Sequence, residues 1–516
     1  MISLLRRPQC FGRCFLALVL CVSAWLAPHN AWAAKNVIIM IADGSGNNTW
    51  LATSMYQGKV GRQVYDQAGW RRLCCSTYPL NLSHKPTGNQ IQDQLLVYDP
   101  VKAWDTNRKN ASAKDLALKN ATLKEAASKD AKPAGATSRD FASYLYLTTT
   151  PTDSAASATA LASGRKTYNN AINWSNDDRP LQGQTIAEIA KAQGKAVGAI
   201  TTVEWSDATP AGLGGAHNRN RSNHAEIANE MLTAGTLDVI MGAGNPDFDN
   251  DGRPLRAEKH RDYQWVGGPD TWKTLKSGQG DWKLLESKAQ FEALLSGPTP
   301  PKVVGTLQAG GTTQEKRGHG RVTLSPVGTP PQQPQPFAVP LNRNVPSLAV
   351  MTKGAIHCLE NNPQGFYLMI EGGAVDWANH ANEPERMVEE QIDYIKAVEA
   401  VVAWVDAHSN WNDTLLILTA DHETGLLWGP DSAKVAFQPL KDRGPGKLPG
   451  MKHNSHGHSN SLVPLYVRGP GSERFAALRK GQDPRAAAQW HYSGRYVDNT
   501  DVFAVMRAEV VKAKGE

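Results

Sequence analysis

The sequence predicts a doubly wound α/β fold: a mostly parallel central sheet with helices on both faces and two large loop insertions. Three observations predict it. Short β-branched runs alternate with helical patterns along most of the 516 residues, several of these runs are apolar on both faces as buried parallel strands are, and no internal repeat divides the chain. With 41% hydrophobic and 20% charged residues, the chain is neither disordered nor a small disulfide scaffold.

Residues 1–33 read as an export signal, with Arg6, Arg7 and Arg13 ahead of an apolar run over 14–27 and Ala31-Trp32-Ala33 as the small-x-small cleavage site. The run is too short for a comfortable membrane span, and no other stretch is long enough. The expectation is a mature chain over 34–516, one catalytic domain, periplasmic or secreted, with no transmembrane span. The formal charge of +6 falls to +3 when those three arginines leave, which argues against an obligate nucleic-acid partner. Of six cysteines, Cys74, Cys75 and Cys358 remain. Three thiols allow one disulfide at most, and the pairing stays open.

The clearest strands cover 37–42, 196–203, 237–241, 366–370, 415–419 and 463–467. Helical patterns lie near 185–194, 225–234, 347–360 and 384–407, the last opening with Glu383-Pro384-Glu385 and carrying Ile392, Ile395, Val402 and Val405 at helical spacing. Two stretches read as insertions that cover or border the active edge of the sheet. Residues 78–138 are polar, with an Ala/Lys/Asp-rich part over 102–132 that suits a surface helix. Residues 242–345 are rich in Gly, Pro and Gln.

In open α/β sheets the ligand site lies beyond the carboxyl ends of the strands. Asp43 ends the first strand, Glu371 the run 366–370, and Asp421-His422 the run 415–419. Taken singly each acid could cap a turn, but three of three strain that explanation. Asp376 and His380, four residues apart, share one face if their segment is helical, which suits a metal pair. Among His453, His456 and His458, spacing alone does not choose. Oxygen and nitrogen donors with no suitably placed thiolate favour zinc, magnesium or a similar divalent ion, and the donors are too many for one tetrahedral site. Thr150-Pro-Thr-Asp-Ser154 precedes a small-residue helical run; locally, Asp153 or Ser154 reads as a cap, although a serine at a helix amino terminus also suits attack on an anion.

With these motifs in this order from about Asn36 to Val510, the chain resembles the bacterial alkaline phosphatases. The resemblance implies that Ser154 is the nucleophile that becomes phosphorylated and that Arg221, with Arg219 as its rival, clamps the phosphoryl oxygens. It implies two Zn²⁺ and one Mg²⁺: Asp376, His380 and His458 for one zinc, Asp43, Asp421 and His422 for the other, and Asp43, Thr209 and Glu371 for magnesium. Asp153 and Asp207 stand behind these groups. Trp377 occupies a position where some members carry Lys or His near the phosphate, so a cationic contact is expected to be missing there. The implied activity is hydrolysis of small-molecule phosphate monoesters, with a homodimer left open. The alternatives are a phosphodiesterase on the same sheet and a catalytically silent phosphate- or metal-binding protein.

One motif falls outside that resemblance. Asp247, Asp249 and Asp251, followed by Gly252 and Glu258, match calcium-loop spacing, which makes Ca²⁺ a candidate against the alternative of a turn-rich acidic loop.

Overall fold

The computed structural model describes residues 34–107, 141–256, 262–318 and 335–511. The leader expected over 1–33, most of the helix expected over 102–132 and Glu258 lie outside these residues. Among the described residues eleven strands form one sheet. In chain order they are β1 (Asn36–Ala42), β2 (Arg71–Ser76), β3 (Ala196–Glu204), β4 (Val239–Ala243), β5 (Lys283–Leu285), β6 (Val303–Thr306), β7 (Phe366–Gly372), β8 (Thr414–Thr419), β9 (Val463–Arg468), β10 (Gly481–Gln482) and β11 (Arg495–Asp498). Across the sheet the order is β10-β11-β2-β9-β8-β1-β7-β3-β4-β6-β5. The seven strands from β8 to β5 run parallel, while β9 is antiparallel to both β8 and β2.

The period-2 geometry of β1 feeds two cores. Val37, Ile39 and Ile41 enter one apolar cluster, and Ile38, Met40 and Ala42 enter the other. All six are fully buried, and each of the larger ones contributes roughly 1.5–3 kcal/mol by leaving water. Helices α1 (Ser154–Ser163), α2 (Ile186–Ala192), α3 (Ala208–Leu213) and α4 (His224–Thr233) supply the first cluster, and α5 (Leu348–Leu359) and α7 (Pro384–His408) the second; α6 (Ala374–Ala381) lies between β7 and α7. A carboxy-terminal helix, α8 (Asn499–Val510), returns to the first face.

Both stretches read as insertions also contribute to the cores, which changes their character. β5 and β6 lie within 242–345 and extend the sheet beyond β4, with Leu285, Phe291, Leu294 and Val303 buried. Their sequences are too short to show periodicity, and the sheet completes them. Residues 78–107 bury Tyr98 and Trp104 beside Trp428 and Trp490, and both ring donors reach Asp483 Oδ2, at 2.6 and 2.8 Å. Cys74 and Cys75 are buried free thiols on β2, and Cys358 is a partly buried free thiol on α5. No helix among the described residues is long and apolar enough to cross a membrane.

Candidate active site

Neighbouring strands β8, β1, β7 and β3 deliver the chemistry to one edge. Asp421 and His422 follow β8, Asp43 follows β1, Glu371 sits near the end of β7, and Asp207 starts α3 just after β3. Parallel register sets them side by side: Glu371 pairs with Ile41 of β1 and with Thr201 of β3. After Asp43 the chain turns through Gly44 at φ +66°, where an added Cβ would lie 2.5 Å from Asp376 Oδ1. Glycine lets the backbone approach that carboxylate.

The segment of Asp376 and His380 is helical, as their spacing predicts, and His380 Nε2 lies 3.2 Å from Asp376 Oδ2. His458 arrives on a short bridge in which it pairs with Thr424. Its Nδ1 donates to Thr152 O at 2.9 Å, so Nε2 carries the lone pair and lies 3.0 Å from His380 Nε2. His380 Nδ1 is likewise committed, to the carbonyl of His456. Two imidazole nitrogens facing each other beside a carboxylate form a site for a shared cation. Burial, followed by the charge of His422, pushes His458 down to about 3, which keeps it the neutral imidazole that a metal ligand must be. Burial raises Asp376, yet the charge and hydrogen bond of His380 outweigh it and hold the carboxyl well below its usual range. The ring of His456 turns to the His380 carbonyl instead, at 2.9 Å.

A second set overlaps the first. Asp43, Asp376 and His422 place ligand atoms within 4.8 Å of one another. His422 Nε2 lies 3.1 Å from Asp421 Oδ2 and 3.6 Å from Asp43 Oδ1. Asp43 is driven well above the usual carboxylate range, by burial first and then by Asp421, Asp376 and Glu371. So many buried acids in one place require positive charge. The third set is oxygen only. Glu371 is fully buried and pushed up to about 8, chiefly by burial; Thr201 Oγ1 donates to its Oε2, while Oε1 and Thr209 Oγ1 adjoin without a bond of normal geometry. Such donors fit a hard divalent ion.

Ser154 opens α1, 4% exposed, and its Oγ lies 3.1 Å from His422 Nε2. Asp153 does cap this helix, accepting from Ala156 N at 2.9 Å, but its other oxygen accepts from Arg221 Nη1 at 3.4 Å. Arg221 Nη2 donates to Asp207 Oδ1 at 3.1 Å. The fork is thus held by the residue before the serine and by the cap of α3. Arg219 turns outward to Asp178 and is mostly exposed. Small residues seat α1: Ser157 Oγ donates to Asp421 O at 2.6 Å, and a Cβ on Gly212 of α3 would come 2.8 Å from the Ala158 Cβ.

Three features escaped sequence reasoning. Thr201 orients Glu371, Thr424 Oγ1 donates to Asp376 Oδ1, and the His456 carbonyl orients His380. Thr201 is visible only through β3–β7 register, whereas Thr424 stands two residues past His422. Trp377 carries no cation of its own, and Lys316 Nζ lies 3.7 Å from its ring centroid.

The described part of the acidic loop ends before Glu258, and its carboxylates have protein partners. Asp247 accepts from Trp272 Nε1 and lies 3.6 Å from Lys276 Nζ. Asp249 Oδ1 takes the backbone N–H groups of Asp251 and Arg253, both at 2.9 Å, and Asp251 pairs with Arg253 and Gly318. Its carboxylates already serve as turn and salt-bridge acceptors, and no metal group among the described residues includes them.

The sequence profile of the family described as alkaline phosphatase matches residues 124–442, more than half of the chain. Alkaline phosphatase 4 of Bacillus subtilis (strain 168) is 33% identical over 280 residues, covering 53% of this chain and 50% of that protein, so the chain spans about half of that relative's length. Alkaline phosphatase of Escherichia coli (strain K12) is 29% identical over 384 residues, covering 69% and 73%. Among solved structures, the alkaline phosphatase of the Antarctic bacterium TAB5 aligns with a TM-score of 0.54 at 20% identity, covering 94% of this chain and 100% of that one. The cold-active enzyme of a psychrophilic Shewanella species gives 0.56 at 21%, covering 92% and 100%. These likenesses show the same fold, and with the profile match they establish that the chain belongs to the alkaline phosphatase family.

Proposed function

We propose that the chain hydrolyses phosphate monoesters to alcohol and inorganic phosphate through a phosphoserine formed on Ser154, with two Zn²⁺, one Mg²⁺ and Arg221. The position of Ser154 carries this reading: a nearly buried hydroxyl at a helix amino terminus, 3.1 Å from His422 Nε2, next to the acid that holds Arg221. Asp376, His380 and His458 suit one zinc, and Asp43, Asp421 and His422 the other. Asp43, Thr209 and Glu371 suit magnesium; a variant of the TAB5 enzyme is described with Mg bound in its M3 site. Bound there, the ions would supply Lewis-acid charge at the entering and leaving oxygens and lower the pKa of water.

The chain's own groups do the rest. The first N–H groups of α1 have no intrahelical acceptor and favour an anion beside Ser154. Arg221, aligned by Asp153 and Asp207, presents a planar fork to two phosphoryl oxygens. In the first step the serine oxygen bonds to phosphorus while the ester P–O bond breaks, and the departing oxygen leaves as alcohol after taking a proton. In the second step a water oxygen bonds to phosphorus, the P–O(Ser154) bond breaks, and the serine regains its proton as phosphate departs. The leader over 1–33 supports export of this activity from the cytoplasm.

The test is hydrolysis of p-nitrophenyl phosphate at alkaline pH by metal-restored protein, beside Ser154→Ala and with bis-p-nitrophenyl phosphate as second substrate. Monoester turnover that collapses in the serine variant is expected. Preference for the diester would identify a phosphodiesterase, and no turnover of either by folded, metal-loaded protein would leave a binding protein.

A further inference from the structure

Residues 168–173 lie between the helix opened by Ser154 and the loop that carries Arg221, and they bond to both. On the side of α1, Thr159 Oγ1 donates to Ala171 O at 2.8 Å and accepts from Asn173 N at 2.7 Å. Just ahead of that helix, Asp153 N donates to Asn169 Oδ1 at 3.1 Å. On the side of the arginine loop, Ile172 and Asn218 exchange both backbone hydrogen bonds, at 2.9 and 2.8 Å, and Tyr168 Oη donates to Arg219 O at 2.8 Å. The segment is a spacer of fixed width between the serine and the arginine.

Asn170 is where this spacer meets Arg221 itself. Its carbonyl accepts from Arg221 N at 2.8 Å, and its N–H donates to Asp153 Oδ2 at 2.9 Å. The same Asp153 oxygen accepts from Arg221 Nη1 at 3.4 Å. One residue thus grips the root of the arginine directly and its guanidinium through Asp153, which closes a ring of three residues beside Ser154. The ring uses only main-chain groups of Asn170, whose backbone is left-handed at φ +76°. Asn and Gly tolerate that conformation, whereas β-branched residues strongly disfavour it. The side chain points elsewhere, its Nδ2 donating to Nδ1 of exposed His84 at 3.1 Å.

We propose that Asn170 is a positioning residue for the phosphoryl clamp: its left-handed main chain sets the reach of Arg221 relative to Ser154. The inference rests on the phosphomonoesterase reading and deepens it. Asp153 and Asp207 orient the two ends of the fork, but only Asn170 ties the arginine backbone to the carboxylate that orients its tip. A long side chain held at root and tip has little freedom left to lose when it meets two phosphoryl oxygens.

The test is a double-mutant cycle on the metal-loaded protein: Asn170→Val, Arg221→Ala and the two combined, beside Asn170→Gly. kcat and KM for p-nitrophenyl phosphate and the melting temperature are recorded for each. Asn170→Val should lower kcat/KM about ten-fold, and in the Arg221→Ala background the same change should cost less than about two-fold, because the group it aligns is gone. Asn170→Gly accepts positive φ and keeps both main-chain bonds, so kcat/KM should stay within about two-fold of wild type. If Asn170→Val does not fold, Asn170→Ala takes its place in the cycle, with an expected loss of about three-fold and the same criteria. Equal losses in both backgrounds overturn the inference, since a role in the fold or through Ser154 does not depend on the arginine. A lower melting temperature with unchanged kcat/KM also overturns it and leaves Asn170 as a turn residue. A loss in Asn170→Gly as large as that in Asn170→Val overturns it in favour of the side chain on His84. Wild-type protein that turns over no ester refutes the phosphomonoesterase reading itself, a result distinct from these.

Discussion

His380 and His458 face each other through their Nε2 atoms at 3.0 Å, and each has its Nδ1 committed to a backbone carbonyl, of His456 and Thr152 respectively. Neither ring can turn away without losing that bond, so lone pairs are held together and only a cation relieves them. Chelation should therefore remove folding stability as well as activity. At free zinc about 100 times the dissociation constant, binding to the native state contributes roughly 2.7 kcal/mol. Thermal melts with and without chelator should differ accordingly, and zinc should restore the higher transition. His458→Asn should abolish most of that metal-dependent shift, while His456→Asn, which keeps the orienting carbonyl, should retain most of it.

The contrast between Arg219 and Arg221 gives a second prediction. Arg221 is clasped by Asp153 and Asp207, whereas Arg219 pairs with Asp178 at the surface. Arg221→Ala should lower kcat/KM for p-nitrophenyl phosphate by roughly 10²- to 10³-fold, the scale for removing a donor aimed at developing charge. Arg219→Ala should change stability by less than about 0.5 kcal/mol and leave kcat/KM within about two-fold, since exposed pairs contribute little. Equal losses in the two variants would reverse the assignment.

Much of this site was legible because the acids stand immediately after apolar runs. Asp43, Glu371 and Asp421 could be placed at strand ends, and the four-residue spacing of Asp376 and His380 placed them on one helical face. What could not be read depends on contacts between distant segments. The choice between His456 and His458 is made by hydrogen bonds to Thr152 and His380, and Lys316 reaches Trp377 only because Thr313 is tied to β3. β2 was missed because Arg71-Arg-Leu-Cys-Cys-Ser76 lacks an apolar run, its pairing partners β9 and β11 supplying the order. The acidic run shows how one spacing serves two readings: Asp249 and Asp251 meet the calcium-loop pattern and also act as local turn acceptors.

Gly212 tests how tightly α1, the helix opened by Ser154, is seated. Alanine there would gain about 1 kcal/mol of helix propensity, yet its Cβ would lie 2.8 Å from the Ala158 Cβ, one turn along α1 from Ser154. Overpacking at such a contact costs about 1–3 kcal/mol. Gly212→Ala should be net destabilising by about 1 kcal/mol in denaturant melts and should lower kcat more than it raises KM, because α1 carries the serine. A variant more stable than wild type with unchanged kcat would show that the contact relaxes freely.

His217 links alkaline pH to stability. It lies behind the Arg221 loop, 6% exposed, with Nδ1 2.9 Å from Glu230 and Nε2 3.6 Å from Glu188. Burial lowers its affinity for a proton, but the two glutamates outweigh this and push it up to about 9. A histidine raised in the folded state contributes its full stability below its unfolded value, near 6.5, and loses it as pH rises through about 9. The loss across that window should be roughly 2–3 kcal/mol. His217→Asn should be less stable at pH 6 because it leaves Glu188 and Glu230 without their cation, and it should lack this part of the decline between pH 6.5 and 9. Urea midpoints for both proteins across that range decide the matter, and parallel curves would show that His217 does not change charge there.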